Sequence, residues 1–430
     1  MDPRSGLQKE MDILIQDGKI LKMGEHLEET EFWKNVKRHE LEIIDAEGYV
    51  VAPGLVDVHV HFRDPGYTQK EDIFTGAKAA ARGGFTSVVL MANTNPVVDQ
   101  EETLNYVLNK GKETKVHVYT CASVTKNMSG KELTDMEMLA GKGAVGFTDD
   151  GKPIMEPSLV KAAMETCKKL NVPISFHEEN PEYISENGIN AGVASSYFHI
   201  KGSDRQAEIS MVRRDLELAL QTDACVNIQH ISTKEAVELV REAKKQGGNI
   251  HAEATPHHFT LTEEAVIKYG SLAKMNPPLR TEEDRMAIVE GLRDGTIDII
   301  ATDHAPHTKE EKSVEDITKA PSGIIGLETA LALGITNLVD KKYLSMMELL
   351  DKMTWQPAQM YHLNAGYLAE NGPADLVIFD PDCIQTFFAF ESKSKNTPFA
   401  GKTCKSRVEY TICDGKIAYI QYAGFVEMED

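Results

Sequence analysis

Short runs rich in Val, Ile and Phe alternate along the chain with stretches whose apolar residues fall every three or four positions. The runs are "LVDVHVHF", "FTSVVLMAN", "KVHVYTC", "GAVGFTDD", "VPISFHEE", "CVNIQHIS", "NIHAEATPHH" and "IDIIATDHAPH". Each has the length and side-chain branching of a buried strand. Between them, stretches such as "KEDIFTGAKAAARGG", "EETLNYVLNKGKE", "MEPSLVKAAMETCKKL" and "TKEAVELVREAKKQG" carry the helical period. Strands alternating with helices pair in parallel, and eight such units predict an α/β fold, a (β/α)8 barrel of the TIM type. A doubly wound open sheet is the alternative.

The two ends follow a period of two. "MDILIQDGKILKMG" and "RVEYTICDGKIAYI" predict β-hairpins around Asp-Gly. "HELEIIDAEGYVVAPG" and "ADLVIFDPD" predict further strands. The shared DGKI suggests that the termini meet in one small β-sandwich. Residues 1–51 and 362–430 would form that discontinuous domain, and residues 52–361 the barrel.

Composition narrows the function. The 430 residues are 41% hydrophobic and 26% charged, as in a soluble globular enzyme. A formal charge of −21 repels phosphate backbones and argues against nucleic-acid binding. No apolar run is long enough to span a membrane, and no signal peptide is recognisable. The six cysteines, Cys121, Cys167, Cys225, Cys383, Cys404 and Cys413, form no CxxC pair and are expected to be reduced thiols in a cytoplasmic protein.

The chemistry starts in the first barrel run, where His59 and His61 share one face of a strand. They end that strand at the rim where such barrels keep their sites. His177 ends the fifth run, His230 the sixth and Asp303 the eighth, while Asp149 and Asp150 end the fourth. Four histidines and two or three carboxylates on one rim suit divalent metal. They exceed one tetrahedral site, so two metals about 3.5–4 Å apart are expected, bridged by a carboxylate and a hydroxide. His26, His39, His117, His199, His251 and His362 carry no such signal; His257 and His258 stay open, one of them as an outer support for the site. Arg63 lies two residues beyond the pair of histidines, on the same face, where a guanidinium suits a carboxylate.

"DVHVHFRDPG" and "ATDHAPHTKEEK" resemble the two signature motifs of the dihydroorotases, in the amidohydrolase superfamily. "MANTNPVVD", "GFTDDG", "EATPHH", "MNPPLR" and "GLETALALG" extend the resemblance, in its bacterial class I form, over nearly the whole chain. It implies two zinc ions per subunit. His59, His61 and Asp303 would hold one, His177 and His230 the other, and Asp150 would bridge. It implies that Arg63 and Asn93 read the substrate's α-carboxylate, and that Asn276, His307, the backbone of Ser322 and Gly323, and His61 make further substrate contacts. The implied reaction is reversible cyclisation of N-carbamoyl-L-aspartate to L-dihydroorotate plus water, a step of pyrimidine biosynthesis, with a metal-bridging hydroxide and Asp303 as general acid/base.

Two features depart from that pattern. Relatives carry one more strand ahead of the equivalent of "DPRSG", so either the start lies upstream or the small domain lacks an edge. At Ser322 many relatives have a larger apolar residue. In place of a bridging lysine carbamate, the fourth run holds no lysine: Lys142 precedes it and Lys152 follows the turn. Asp149 and Asp150 face opposite ways, and the resemblance favours Asp150 as the bridge. The competing readings are another cyclic-amide hydrolase (dihydropyrimidinase, hydantoinase or allantoinase) and an inactive structural partner of aspartate transcarbamoylase. A homo-oligomer and a transcarbamoylase complex are both compatible with the resemblance, and the sequence decides neither.

Overall fold

The structure is a computed structural model that describes residues 1–30 and 42–421. His39 and the start of "HELEIIDAEGYVVAPG" lie outside the described residues. In chain order, β1 (Asp12–Gln16) and β2 (Lys19–Gly24) form an antiparallel hairpin. Its turn places Asp17 at φ 52° and Gly18 at φ 76°, the left-handed pair that a two-residue hairpin requires. β3 (Val50–Pro53) leads at once into β4 (Leu55–Val60), the first barrel strand. Then come β5 (Phe85–Leu90), β6 (His117–Thr120), β7 (Ile174–Phe176), β8 (Val226–Ile228), β9 (Ile250–Ala254) and β10 (Ile299–Ile300). β11 (Leu376–Thr386), β12 (Thr403–Cys413) and β13 (Lys416–Ile420) complete the strands of the described residues.

Strands β4 to β6 pair in parallel, as do β7 to β10. Single bridges join the two sheets into a (β/α)8 barrel. Phe147 bridges Ala122 on one side and Ile174 on the other, and Val60 bridges His304 at the opposite seam. The fourth strand of the sequence pattern is thus reduced to the surroundings of Phe147. Gly143 and Gly146 stand in that run, and glycine offers a strand no side chain to pack. Inside the barrel Val56, Val58, Val89, Met91, Cys121, Ile299 and Ala301 pack on Ala358, Met360 and Tyr361, which plug the floor from the helix Trp355–Met360 and the residue after it. The Tyr361 hydroxyl reaches the Ser175 hydroxyl at 3.0 Å, so the plug's one polar group is satisfied. All six cysteines are free.

Both termini build the smaller part of the molecule, in two sheets. β3 joins β11, β12 and β13 in one antiparallel sheet, while β1 and β2 form a separate hairpin that a single bridge from Lys19 to Pro373 ties to the segment ahead of β11. The two Asp-Gly turns meet without sharing a ladder: a Cβ on Gly18 would lie 3.3 Å from the Asp414 carbonyl. Among the described residues of "HELEIIDAEGYVVAPG", Val50–Pro53 is the strand; a turn closed by Tyr49 N–H on the Ala46 carbonyl precedes it.

A strap running from Ser392 to Asn396 crosses from the β11–β12 connection to the barrel mouth. The Lys393 amide donates to Glu71 at 3.0 Å and the Ser394 hydroxyl to the Lys70 carbonyl at 2.6 Å. Buried Asn396 accepts from the His307 amide at 3.0 Å and donates to the carbonyls of Ala305 at 2.9 Å and Gly323 at 3.0 Å. One amide side chain thereby fixes two mouth loops with all its polar capacity used on that side.

Candidate metal centre

β4 delivers His59 to the rim and His61 follows just beyond its end, with ring centroids 5.4 Å apart. The β4–β5 ladder is irregular between Asp57 and Val60, so convergence of the rings owes as much to that irregularity as to simple alternation. His177, His230 and Asp303 follow β7, β8 and β10, and Asp150 follows the Phe147 bridge. All six side chains are buried.

Three of the imidazoles are oriented from behind by an acceptor. His59 donates Nδ1–H to Glu253 at 3.0 Å, His61 donates Nδ1–H to Asn93 at 3.0 Å, and His177 donates Nε2–H to Glu179 at 3.0 Å. Each therefore turns its second nitrogen inward as a lone pair. His59 Nε2 lies 3.4 Å from Asp150 and 3.5 Å from Asp303. His61 Nε2 lies 2.9 Å from Asp303 and 3.5 Å from Asp150. His177 Nδ1 lies 3.5 Å from Asp150 and 2.9 Å from His230 Nε2.

An imidazole nitrogen facing a carboxylate oxygen needs a proton or a metal cation between them, since its bare lone pair would repel the oxygen. Burial would strip protons from His59, but Asp303, Asp150 and Glu253 outweigh it and hold this imidazole's pKa well above its usual value. At His177 burial is likewise outweighed by Asp150 and Glu179, to about 10. His230 is driven the other way by burial and by its His177 and His59 neighbours. His59 Nε2, Asp150 Oδ1 and His230 Nδ1 are buried without a hydrogen-bond partner. Ligand atoms of His59, His61 and Asp150, of Asp150, His177 and His230, and of His59, His230 and Asp303 all lie within 4.8 Å of one another. The donor set, nitrogen and carboxylate oxygen without a thiol, fits a divalent transition metal.

The adjacent aspartates divide as alternation requires. Asp150 faces the imidazoles, and Asn93 donates to it at 3.0 Å. Asp149 turns away and accepts from the amides of Val124 at 2.8 Å and Thr125 at 3.1 Å, and from the Thr125 hydroxyl. Asn93 is thus committed to His61 and Asp150. Arg63 is half-buried, donates Nε–H to the Pro306 carbonyl at 3.3 Å, and has no carboxylate within 4.0 Å among the described residues. Asn276 Oδ1 is buried and unpartnered. Gly323 stands at φ 152°, where a Cβ would lie 2.6 Å from the Ala305 carbonyl, so only glycine fits beneath that loop. His307 has both ring nitrogens engaged, with Lys70 and with the Ser322 carbonyl. Of the two histidines left open, His258 donates Nε2–H to the Pro277 carbonyl at 3.0 Å, bracing the loop that carries Asn276, while His257 Nε2 is buried and unpartnered.

Sequence reasoning missed Glu253, Glu179 and Lys70. A charged residue inside the apolar run "IHAEA" marks Glu253; nothing in the pattern marks the other two. His117 and His251 sit away from the site in ion pairs with Asp375 and Asp298.

No helix among the described residues is long and apolar enough to cross a membrane. Residues 50–418 match the Amidohydrolase family. Over 419 residues, 97% of each chain, the sequence is 56% identical to the dihydroorotase of Clostridioides difficile strain 630. It is 53% identical over 422 residues, again 97% of each chain, to the dihydroorotase of Streptococcus pneumoniae serotype 4. Among solved structures, an L-hydantoinase (dihydropyrimidinase) from Arthrobacter aurescens superposes with a TM-score of 0.83 at 25% identity, covering 96% of this chain and 94% of that one. The dihydropyrimidinase of Brevibacillus agri NCHU1002 gives 0.82 at 22% identity, over 96% and 92%, a likeness of fold alone. On a match spanning residues 50–418 and half identity along nearly its full length, this chain belongs to the amidohydrolase family.

Proposed function

We propose that the protein is a dihydroorotase, interconverting N-carbamoyl-L-aspartate and L-dihydroorotate plus water. The observation that carries the reading is Arg63: a half-buried guanidinium with no carboxylate within 4.0 Å among the described residues, two residues beyond His61, in a chain half identical to proteins of that name. Withdrawing a cation even partly from water without a partner is costly unless a ligand supplies the anion. The substrate's α-carboxylate supplies it, and a neutral ring does not.

In this reading His59, His61 and Asp303 would hold one zinc ion and His177 and His230 a second, with Asp150 within reach of both groups. Zinc bound there supplies Lewis acidity, which polarises the amide carbonyl and makes water more acidic. Glu253, Asn93 and Glu179 keep the three imidazoles in the tautomers that ligation needs. Asp303 handles the proton. In hydrolysis it accepts one from the attacking water and passes it to the ring nitrogen as the C–N bond breaks. In cyclisation it takes a proton from the ureido nitrogen as that nitrogen attacks the side-chain carboxyl, and water leaves. Arg63 holds the α-carboxylate; Asn276, His307 and the Ser322–Gly323 backbone complete the substrate wall, and Asn93 stands behind it on His61 and Asp150. We further read residues 1–51 with 362–430 as one discontinuous domain beside the 52–361 catalytic barrel, at work in the cytoplasm.

The test is a steady-state comparison of dihydroorotate, dihydrouracil and allantoin. We expect dihydroorotate to be preferred by at least about 100-fold, the discrimination of a site built around one charged contact. Preference for either neutral substrate overturns the reading in favour of another cyclic-amide hydrolase.

A further inference from the structure

Lys70 belongs to no metal or substrate motif, yet its ammonium reaches the mouth of the site. Its side chain is 16% exposed, and Nζ lies 2.8 Å from Glu311 and 3.3 Å from His307 Nδ1. The Ser394 hydroxyl of the strap fixes its carbonyl. An ammonium can only donate, so His307 Nδ1 must be the acceptor. The ring's one proton then sits on Nε2, which donates to the Ser322 carbonyl at 2.9 Å. Burial comes first in keeping this imidazole uncharged, followed by the positive charges of Arg63, Lys70 and Lys312. The His307 amide is held by Asn396, and Arg63 is tied to the carbonyl of Pro306, one residue earlier. Lys70, His307 and Arg63 are therefore joined through a single turn of backbone. Glu311, the counter-charge of Lys70, lies 3.5 Å from His307 Nδ1, farther than the Lys70 ammonium at 3.3 Å, and is 35% exposed and screened by water.

We propose that Lys70 is a positioning residue for recognition of the substrate carboxylate, holding His307 as the Nε2–H tautomer against the Ser322 carbonyl and adding a second positive charge to the Arg63 wall. This rests on the dihydroorotase reading. The ligand class it serves is a cyclic ureide bearing an α-carboxylate. Lys70 acts through His307 and adds to ground-state and transition-state binding alike, so its loss belongs in KM.

Two measurements on the full-length, metal-loaded protein decide it. The first is ¹⁵N NMR of the histidine rings, with the His307 signals identified by their absence from His307→Gln. We expect protonated Nε2 and bare Nδ1 in the wild type and in Lys70→Arg, and mixed tautomers in Lys70→Met. The second is steady-state kinetics. For Lys70→Met we expect KM for dihydroorotate to rise about 10- to 100-fold, the range of one charge-assisted contact, with kcat within about threefold. Lys70→Arg should restore most of that loss, and kcat/KM for dihydrouracil should scarcely move. An Nδ1–H tautomer or an imidazolium at His307 in the wild type overturns the proposal, even if Lys70→Met does not fold. So does an unchanged KM in a folded Lys70→Met. A wild type that prefers dihydrouracil overturns the dihydroorotase reading instead, and the ring-nitrogen spectra still judge the tautomer.

Discussion

Arg63, His230 and Asp303 have φ of 59°, 32° and 45°, in the left-handed region that side chains with a Cβ rarely adopt. Each such residue costs about 1–2 kcal/mol, and that cost is tolerated where surrounding contacts force an aim that regular strand geometry cannot give. All three point into the mouth of the barrel just beyond strands of two to six residues. Asp303→Asn keeps the shape and one ligating oxygen and removes the proton acceptor. We expect a folded, metal-bearing variant whose turnover falls by about 10²–10⁴, checked by kcat alongside metal analysis. Asp149 and Asp150 separate by function in the same way. Asp150→Ala should lose at least one metal ion. Asp149→Ala should keep its metal and lose about 1–3 kcal/mol of stability, since the donors at Val124 and Thr125 are left buried and unmet. No lysine stands in the fourth run, so zinc alone should reactivate the stripped protein, with no gain from bicarbonate. A requirement for bicarbonate would reject Asp150 as the shared ligand.

At the scale of elements, β9 and β10 share only two residue pairs, Glu253 with Ile299 and Ala254 with Ile300. A charged clamp below them makes up for the short ladder. His251 donates to Asp298 at 2.7 Å, and Asp298 also accepts from the Ala252 amide at 3.0 Å. Burial alone would lower the His251 pKa; the bond to Asp298 reverses this and raises it to about 9. Burial would raise Asp298, and His251 brings it down to about 2. A histidine with a raised folded pKa stabilises fully below its unfolded value, about 6.5, and loses that contribution as pH climbs through 9. The aspartate's share is intact above its unfolded value, about 3.9, and fades as pH falls towards 2. Between pH 4 and 6.5 the clamp is therefore complete, worth about 2 kcal/mol as a charge-assisted hydrogen bond. His251→Gln should unfold at a lower temperature than the wild type at pH 6, and the gap should close by about pH 10. An equal gap at both ends would reject the clamp.

Across the whole molecule, what the sequence revealed depends on how far apart the cooperating residues lie. His59 and His61 are legible because strand alternation puts them on one side, and the barrel because its two periods repeat along the chain. Asn396, 89 residues from His307, carries no local signal, since only tertiary folding brings the strap to the mouth. The same holds for Lys70, whose partners His307 and Ser394 are 237 and 324 residues away. The hairpins at the termini were legible as hairpins; that they form two sheets meeting at their turns depends on packing that no period records. The fourth run looks longer than its strand because hydrophobicity cannot report how many backbone pairs a glycine-broken run sustains.

The hoop of strands is fastened at two latches, Phe147 and the Val60–His304 bridge, made of isolated bridges rather than of runs of paired residues such as β4–β5 and β5–β6. A ring opens where it is thinnest. The amides of Phe147, Ser175 and His61 bond across these latches, and they should exchange with deuterated solvent well before those of β5, which is paired along both edges. Both latches adjoin groups assigned to the metals: Asp150 lies three residues past Phe147, and His61 and Asp303 flank the other. An opening fluctuation there separates the ligands before it unravels the barrel. Metal escape should therefore track the slow breathing of the hoop, and filling the centre should quiet exchange at both latches together.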